Sequence, residues 1–269
     1  MKPNKSTELP ISKGVLKRQI ISRTSTNSSS ALSDLVAEEV AIAFAYNGQS
    51  HAVMMASPIC LDDFAVGFSI TEKIVDSPKD IRQIDIQAAH QGICINLQIK
   101  PKLMERLAGR RRQLSGRSGC GICGIADLAA AMPSLQPLQA TPRPDHATIE
   151  NAVQTFHRKQ SLQEQCGAVH AAALFDQSGK LLALREDVGR HNALDKVIGA
   201  TIGLAKPEHF VLMSSRASHE LVVKTVMAGI GSLVCISAAT TLAIEMAEQT
   251  NLNLLGFIRG SRQIVYTAK

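Results

Sequence analysis

Phe210–Ser237 reads FVLMSSRASHELVVKTVMAGIGSLVCIS, and the order of its parts decides the fold. FVLM and LVCIS are apolar runs without polar alternation, the pattern of strands covered on both faces. The segment between them has the length of a helix and begins in a polar turn. The reading is strand 209–213, helix 218–229 and strand 233–237. Downstream it continues with helix 240–249, strand 253–258 and a short last strand 263–267. Upstream come helix 148–165, strands 171–175 and 180–185 joined at Gln177-Ser178-Gly179, and helix 192–204. Alternating strands and helices predict an α/β domain over 145–269, with a mainly parallel sheet and helices on both faces.

A different pattern precedes it. Val40, Ile42, Phe44 and Tyr46 share one face of a strand, Asn47-Gly48 makes a tight hairpin turn, and a returning strand runs through Val53 and Met55. Leu61–Val75 reads as a helix with Asp62 and Asp63 at its positive end, and 84–99 as two more strands around Gln91-Gly92. This predicts a smaller β-rich α+β domain over 34–114, an antiparallel sheet with a helix. Residues 101–113 read as a basic helix, and 115–133 as a mobile loop leading into a helix near Ile125. The stretch 134–144, with Pro137, Pro142 and Pro144, is a linker. Residues 1–33 are polar and read as a flexible tail, too poor in apolar area to offset the entropy of ordering.

The chain has 269 residues, 45% of them apolar and 19% charged, enough to bury a sizeable core. It has no Trp and 3% aromatic residues, which argues against stacking on nucleic-acid bases. No apolar run is long enough for a membrane span, and no signal peptide is evident. Six scattered cysteines make no disulfide framework, so a cytoplasmic protein with reduced thiols is expected. The net charge of +6 equals that of one block, Lys100–Arg117, with seven Lys/Arg against one Glu. Such a block reads either as an attraction for an anionic partner or as a solvated helix face.

That block runs into SGCGICGIADLAAAMP (118–133), which holds Cys120 and Cys123. A zinc site needs four ligands, and one pair supplies half. A thioredoxin-type pair follows a buried strand, whereas this one follows a polar loop. Gly119, Gly121 and Gly124 match a dinucleotide fingerprint, but no strand precedes them and no acid follows at the required distance. The reading left beside two incidental surface thiols is an accessible loop whose arginines and helix start favour a thiolate. Cys60, Cys94, Cys166 and Cys235 lie in apolar stretches and read as buried.

Three further stretches carry polar groups at the ends of strands. REDVGRHNALDKVIG (185–199) places Arg190 and His191 at a helix start after a strand, where ligands bind in open α/β sheets. The alternative is a helix cap with an internal Asp–Arg pair. SSRASHELVVK (214–224) offers Ser215 and Arg216 to a phosphate, or Ser218 as an ordinary helix cap. GFIRGSRQIVY (256–266) brackets Gly260-Ser261 with Arg259 and Arg262, a pattern that a charged hairpin also makes.

With AEE (37–39), NGQSHAVMMASP (47–58), CGICG (120–124) and the closing GFIRGSRQIVYT (256–267), these stretches resemble the FdhD family of formate dehydrogenase accessory sulfurtransferases. The resemblance runs from Asp34 to Thr267. It implies a sulfurtransferase, a carrier that accepts sulfur from a cysteine desulfurase as a cysteine persulfide. The sulfur then passes to the molybdenum bis(molybdopterin guanine dinucleotide) cofactor, a bound substrate, for formate dehydrogenase. It makes Cys120 the persulfide cysteine and Cys123 its companion, and Phe257, Ile258, Arg259, Gly260, Ser261 and Arg262 the cofactor-contacting segment. It also implies a cytidine-deaminase-like C-terminal domain, a homodimer, and no permanent cofactor or metal. With it, Arg190, His191, Ser215 and Arg216 become candidates for the cofactor's phosphates and guanine ends. Lys73 stands where the family pattern has Gly. Two other readings stay open: a cofactor-binding chaperone without chemistry, and a zinc-dependent deaminase, which would need the H-x-E and P-C-x-x-C signatures that this chain lacks.

Overall fold

A computed structural model describes residues 12–23, 29–107 and 134–267. The smaller part is a four-stranded sheet made of β3 (Val40–Tyr46), β4 (Gln49–Ala56), β5 (Ile81–Ala89) and β6 (Gly92–Ile99), in the order β4-β3-β6-β5. The Asn47-Gly48 turn forms as expected, with both residues at positive φ. The sheet is not wholly antiparallel, because its central pair, β3 and β6, runs parallel. Helix α1 (Leu61–Thr71) covers one face with Phe64 and Phe68, whose rings lie 5.1 and 4.4 Å from that of Phe44.

The larger part is a six-stranded sheet. Its strands are β7 (His170–Phe175), β8 (Leu181–Asp187), β9 (Phe210–Met213), β10 (Ser232–Cys235), β11 (Asn253–Arg259) and β12 (Arg262–Val265), in the order β12-β11-β10-β9-β7-β8. It is mixed, and the expectation of a mainly parallel sheet is corrected. Only β9–β10 and β10–β11 pair in parallel, while β7–β8, β7–β9 and β11–β12 are antiparallel. The reason is the β7–β8 hairpin, which inserts beside β9 and sets β7 against it.

Helices do lie on both faces. On one side α4 (Arg190–Thr201), α5 (His219–Met227) and α6 (Thr241–Gln249) meet Ala172, Leu174, Val211, Leu233 and Leu254. On the other, α2 (His146–Lys159) meets the alternate residues Ala171, Ala173, Phe175, Leu212 and Val234. The predicted 148–165 helix is two helices, because Gln160 leaves helical geometry before α3 (Ser161–Cys166). No helix among the described residues is long and apolar enough to cross a membrane.

Where the sequence suggests a flexible tail, the chain forms a ribbon of β1 (Val15–Arg23) and β2 (Ser29–Ala37), antiparallel from Val15↔Ala37 to Arg23↔Ser29. The supposed boundary at residue 34 falls inside β2. The ribbon is tied at its base: Glu38 N donates to Gly14 O at 2.8 Å, and Gly14 packs against Leu162 of α3.

The two sheets are joined through α1 and α4. Glycines allow the close crossing: a Cβ on Gly67 would lie 1.8 Å from Asp195 O, and one on Gly199 1.9 Å from Asp63 O. Buried ion pairs fill the seam. The Asp187 carboxylate accepts from Lys196 Nζ at 2.5 Å, Gly189 N at 2.8 Å, Asn192 Nδ2 at 2.9 Å and Ser57 N at 3.1 Å. Lys196 Nζ also donates to Ser57 O, and Asn192 Nδ2 to Met55 O, both at 2.8 Å. A second set joins Lys224 Nζ to Asp195, Thr71 and Glu72 at 2.9–3.2 Å.

Candidate functional site

The carboxyl ends of β8, β9, β10 and β11 and the amino end of β7 lie along one edge of the larger sheet, as the pairings His170↔Asp187 and Ala172↔Met213 require. Helices α4, α5 and α6 all begin there. Backbone bonds stitch the loops of this edge together. Ser237 N donates to Ser215 O, Ala217 N to Ala238 O, Thr240 N to Ala217 O, and Phe257 N to Ser237 O, at 3.0–3.3 Å. The edge is therefore a fixed platform, and helix N-termini along it are suited to anions.

Arg190 and His191 occupy the first turn of α4, capped by Gly189 without any side-chain bond. Their partner is Glu220 in the first turn of α5: His191 Nε2 lies 2.7 Å and Arg190 Nη2 4.0 Å from Glu220 Oε2. Burial pushes the Glu220 carboxyl up, but His191, His219 and Arg190 together outweigh it and hold it below its ordinary value. Across the edge, His170 Nδ1 meets Ser214 Oγ at 3.2 Å, and Ser214 Oγ also accepts from Ala171 N. Burial, then the charges of Arg190 and His191, hold the His170 imidazole below its usual value, which favours the neutral ring.

Both local alternatives fail here. Asp187 pairs with Lys196, not with an arginine. Ser218 stands at the cap position of α5, yet its side chain makes no capping bond and its buried Oγ has no partner among the described residues. Arg190 Nε is likewise buried and unpartnered. Arg216 is exposed, and Ser215 is buried with its hydroxyl turned onto Arg216 O at 3.1 Å.

The Phe257–Arg262 segment lies at the same edge, two strands from the Ser214–Ser218 loop in sheet order. Phe257 has a left-handed backbone, φ 53°, at an irregularity between Gly256 and Arg259. The guanidinium carbons of Arg259 and Arg262 sit 5.1 and 5.4 Å from its ring centroid, a geometry in which cation and ring attract. Ser261 O is 2.5 Å from His146 Nε2, and Gly260 turns the hairpin at φ 55°. Ile258 differs from its neighbours, for its side chain is buried in the core beneath α2.

The thiols are placed as follows. Cys120 and Cys123 lie outside the described residues, as do the arginines at 110–112 and the helix expected near Ile125. Of the four cysteines read as buried, only Cys235 is, and burial pushes its thiol up; Cys60 is exposed at the start of α1.

Sequence reasoning missed Glu220 and His170 as parts of the edge, and Asp187, Asn192, Asp195 and Lys196 as parts of the seam. The signal was present in Lys196 and Lys224, which stand in apolar helix positions where a charge requires a buried partner.

A family model described as FdhD/NarQ matches residues 37–269. A Bordetella bronchiseptica protein named sulfur carrier protein FdhD is 43% identical over 237 residues, covering 87% of this chain and 86% of its own length. One of that name from Cupriavidus necator is 44% identical over 235 residues, covering 87% and 82%. A crystal structure from Desulfotalea psychrophila, described as a formate dehydrogenase accessory protein, superposes with a TM-score of 0.72 at 22% identity, covering 94% of this chain and 97% of that one.

Proposed function

This chain belongs to the FdhD/NarQ family, and from that premise we propose that it is a cytoplasmic sulfur carrier serving formate dehydrogenase. The observation that carries the reading is the relatedness itself. Proteins named sulfur carriers share 43–44% identity over 87% of the chain.

In this reading Cys120 is the sulfurtransferase nucleophile. Its thiolate attacks the terminal sulfur of a persulfide on a cysteine desulfurase, the desulfurase thiolate leaves, and Cys120 carries the extra sulfur. The acceptor is a guanine-nucleotide-bearing molybdenum cofactor, a substrate rather than a resident group. Cys123 assists it. Arg190, His191, Arg216, Arg259 and Arg262 supply positive charge along one fixed edge, and Phe257 a flat face beside two guanidiniums, a combination suited to phosphates and an aromatic base. The larger domain is then of the deaminase-like kind, and the working unit a homodimer.

The test is mass spectrometry of the peptide containing Cys120 and Cys123 after incubation with a cysteine desulfurase and cysteine. A gain of one sulfur is expected, lost in Cys120→Ala and kept in Cys60→Ala. Cys60 is the stringent control because its thiol is exposed. An unmodified peptide in a chain that still binds the cofactor would replace the carrier by a binding chaperone.

A further inference from the structure

Nine large apolar side chains are exposed among the described residues, and five of them stand on the β1–β2 ribbon: Leu16, Ile21, Leu32, Leu35 and Val36. A two-stranded ribbon is marginal in water unless something packs on it. Residues directly opposite in its register share a face. Leu16↔Val36, Arg18↔Asp34 and Ile20↔Leu32 are therefore successive rungs of one face, a charged rung between two apolar ones. At the base of that face a groove of about 260 Å³ continues from Leu16, Arg18 and Val36 to Glu38, Glu39 and Val40.

Charge on the ribbon is divided by strand. β1 and the residues just before it carry Lys13, Lys17, Arg18 and Arg23, whereas β2 and the residues just after it carry Asp34, Glu38 and Glu39. None of these is in an ion pair among the described residues. Arg18 and Asp34 stand opposite one another, yet each turns to backbone instead. Arg18 Nη1 donates to Lys17 O at 3.5 Å, and the Asp34 carboxylate accepts from Leu35 N at 2.8 Å. An anionic membrane or a nucleic acid calls for one sign of charge. This face carries both signs on opposite strands, which fits a second copy of itself.

We propose that the face bearing Leu16, Arg18, Ile20, Leu32, Asp34 and Val36 docks on the same face of a second copy, about a two-fold axis running along the strands. That axis lays β1 of each copy over β2 of the other. Arg18 then meets Asp34 of the second copy, twice by symmetry, and Leu16 meets Val36 and Ile20 meets Leu32 in the same way. An axis across the strands through the same rung would set Arg18 on Arg18 and Asp34 on Asp34, so charge selects the first arrangement. One face of the ribbon, about 30 Å by 10 Å, is short of the roughly 800 Å² per copy of a stable interface. With the axis along the strands both bodies lie at the same end, where the groove at the base extends the contact. This surface rests on the sulfur-carrier reading only for the expectation of two copies.

Sedimentation equilibrium of the full chain tests it. The wild type should be a dimer. Arg18→Glu and Asp34→Arg should each weaken it about a hundredfold, since each replaces two attractions by two repulsions. The double variant, with both charges exchanged, should recover to within about threefold of the wild type. Recovery cannot come from a variant that merely unfolds the ribbon. Val53→Ser, on the equally open strand β4, is the control and should leave the mass unchanged. A monomeric wild type overturns the proposal together with the expectation of two copies. A dimer that neither single variant loosens overturns the ribbon as its surface and leaves that expectation standing. Loss in the single variants without recovery in the double overturns the pairing of Arg18 with Asp34 across the axis. The persulfide test on Cys120 is read separately from all of these.

Discussion

Two groups of charged residues, both drawn from the stretch Arg185–Gly199, lie along α4 and are finished to different degrees. In the seam, Asp187 has four donors and Lys196 two acceptors, all within 3.1 Å, and both side chains are fully buried. At the edge, Arg190 reaches Glu220 only at 4.0 Å, and its Nε has no partner. A buried ion is tolerated when its hydrogen bonds are complete, and the seam meets that condition within the chain. At the edge the set is left incomplete among the described residues, around an arginine that is only partly buried. One motif thus joins the two parts through Asp187, Asn192, Asp195 and Lys196 and also places Arg190 and His191 at the strand-end edge.

The largest effect should come from leaving the seam half-built. Asp187→Ala strands Lys196 and frees donors on Ser57, Gly189 and Asn192, for a loss of about 3–5 kcal/mol. Denaturant unfolding measures it, and a loss below 1 kcal/mol would mean that the two parts do not depend on this pair. Lys196→Met should cost less, because the carboxylate keeps its other three donors. Next comes Gly199→Ala, which forces a methyl to within 1.9 Å of Asp63 O and spreads α1 from α4. The expected loss is on the order of 3 kcal/mol, read as a shifted midpoint. An unchanged midpoint would show that the crossing is not tight.

Legibility in the sequence followed range. Asn47-Gly48 and the helix starts at 146, 219 and 241 were readable because each is set within a few residues. The orientation of β7 was not, since it depends on pairing with β9 some forty positions away. The β1–β2 ribbon escaped notice because most of its residues are exposed and its composition resembles a disordered tail, although Val15, Leu16, Ile20 and Ile21 were there to be read. At the site, Arg190, His191, Ser215 and Arg216 were legible as polar residues at turns. That Ser218 would fail to cap its helix, and that Asp187 would choose Lys196, depends on packing between distant segments.

Lys73 links the two kinds of information. Helix α1 ends in a Schellman motif: Ile74 N donates to Ser69 O and Lys73 N to Ile70 O, both at 2.9 Å. The residue in the left-handed position is Lys73, at φ 51°. The resemblance implies Gly at this position, and glycine is the residue that takes this conformation without strain. Lys73→Gly should therefore stabilise the chain, by about 0.5–1 kcal/mol after the added flexibility of the unfolded state is deducted. A loss on thermal unfolding would show that the lysine side chain contributes more than its backbone costs.

The smallest effect concerns the edge alone. His170 is held below its usual pKa of about 6.5 by burial, with Arg190 and His191 adding repulsion. The unfolded chain therefore binds the proton more readily than the folded one. The neutral ring contributes stability above pH of about 6.5, and this is lost as the pH falls through the lower folded value. His170→Gln should flatten that part of the stability curve without moving it at pH 8. An NMR titration of the ring in Arg190→Gln should show a partial rise of its pKa, partial because burial remains the larger cause. A ring that titrates identically in both proteins would mean that Arg190 and His170 do not share one electrostatic environment, and the edge would have to be divided into separate sites.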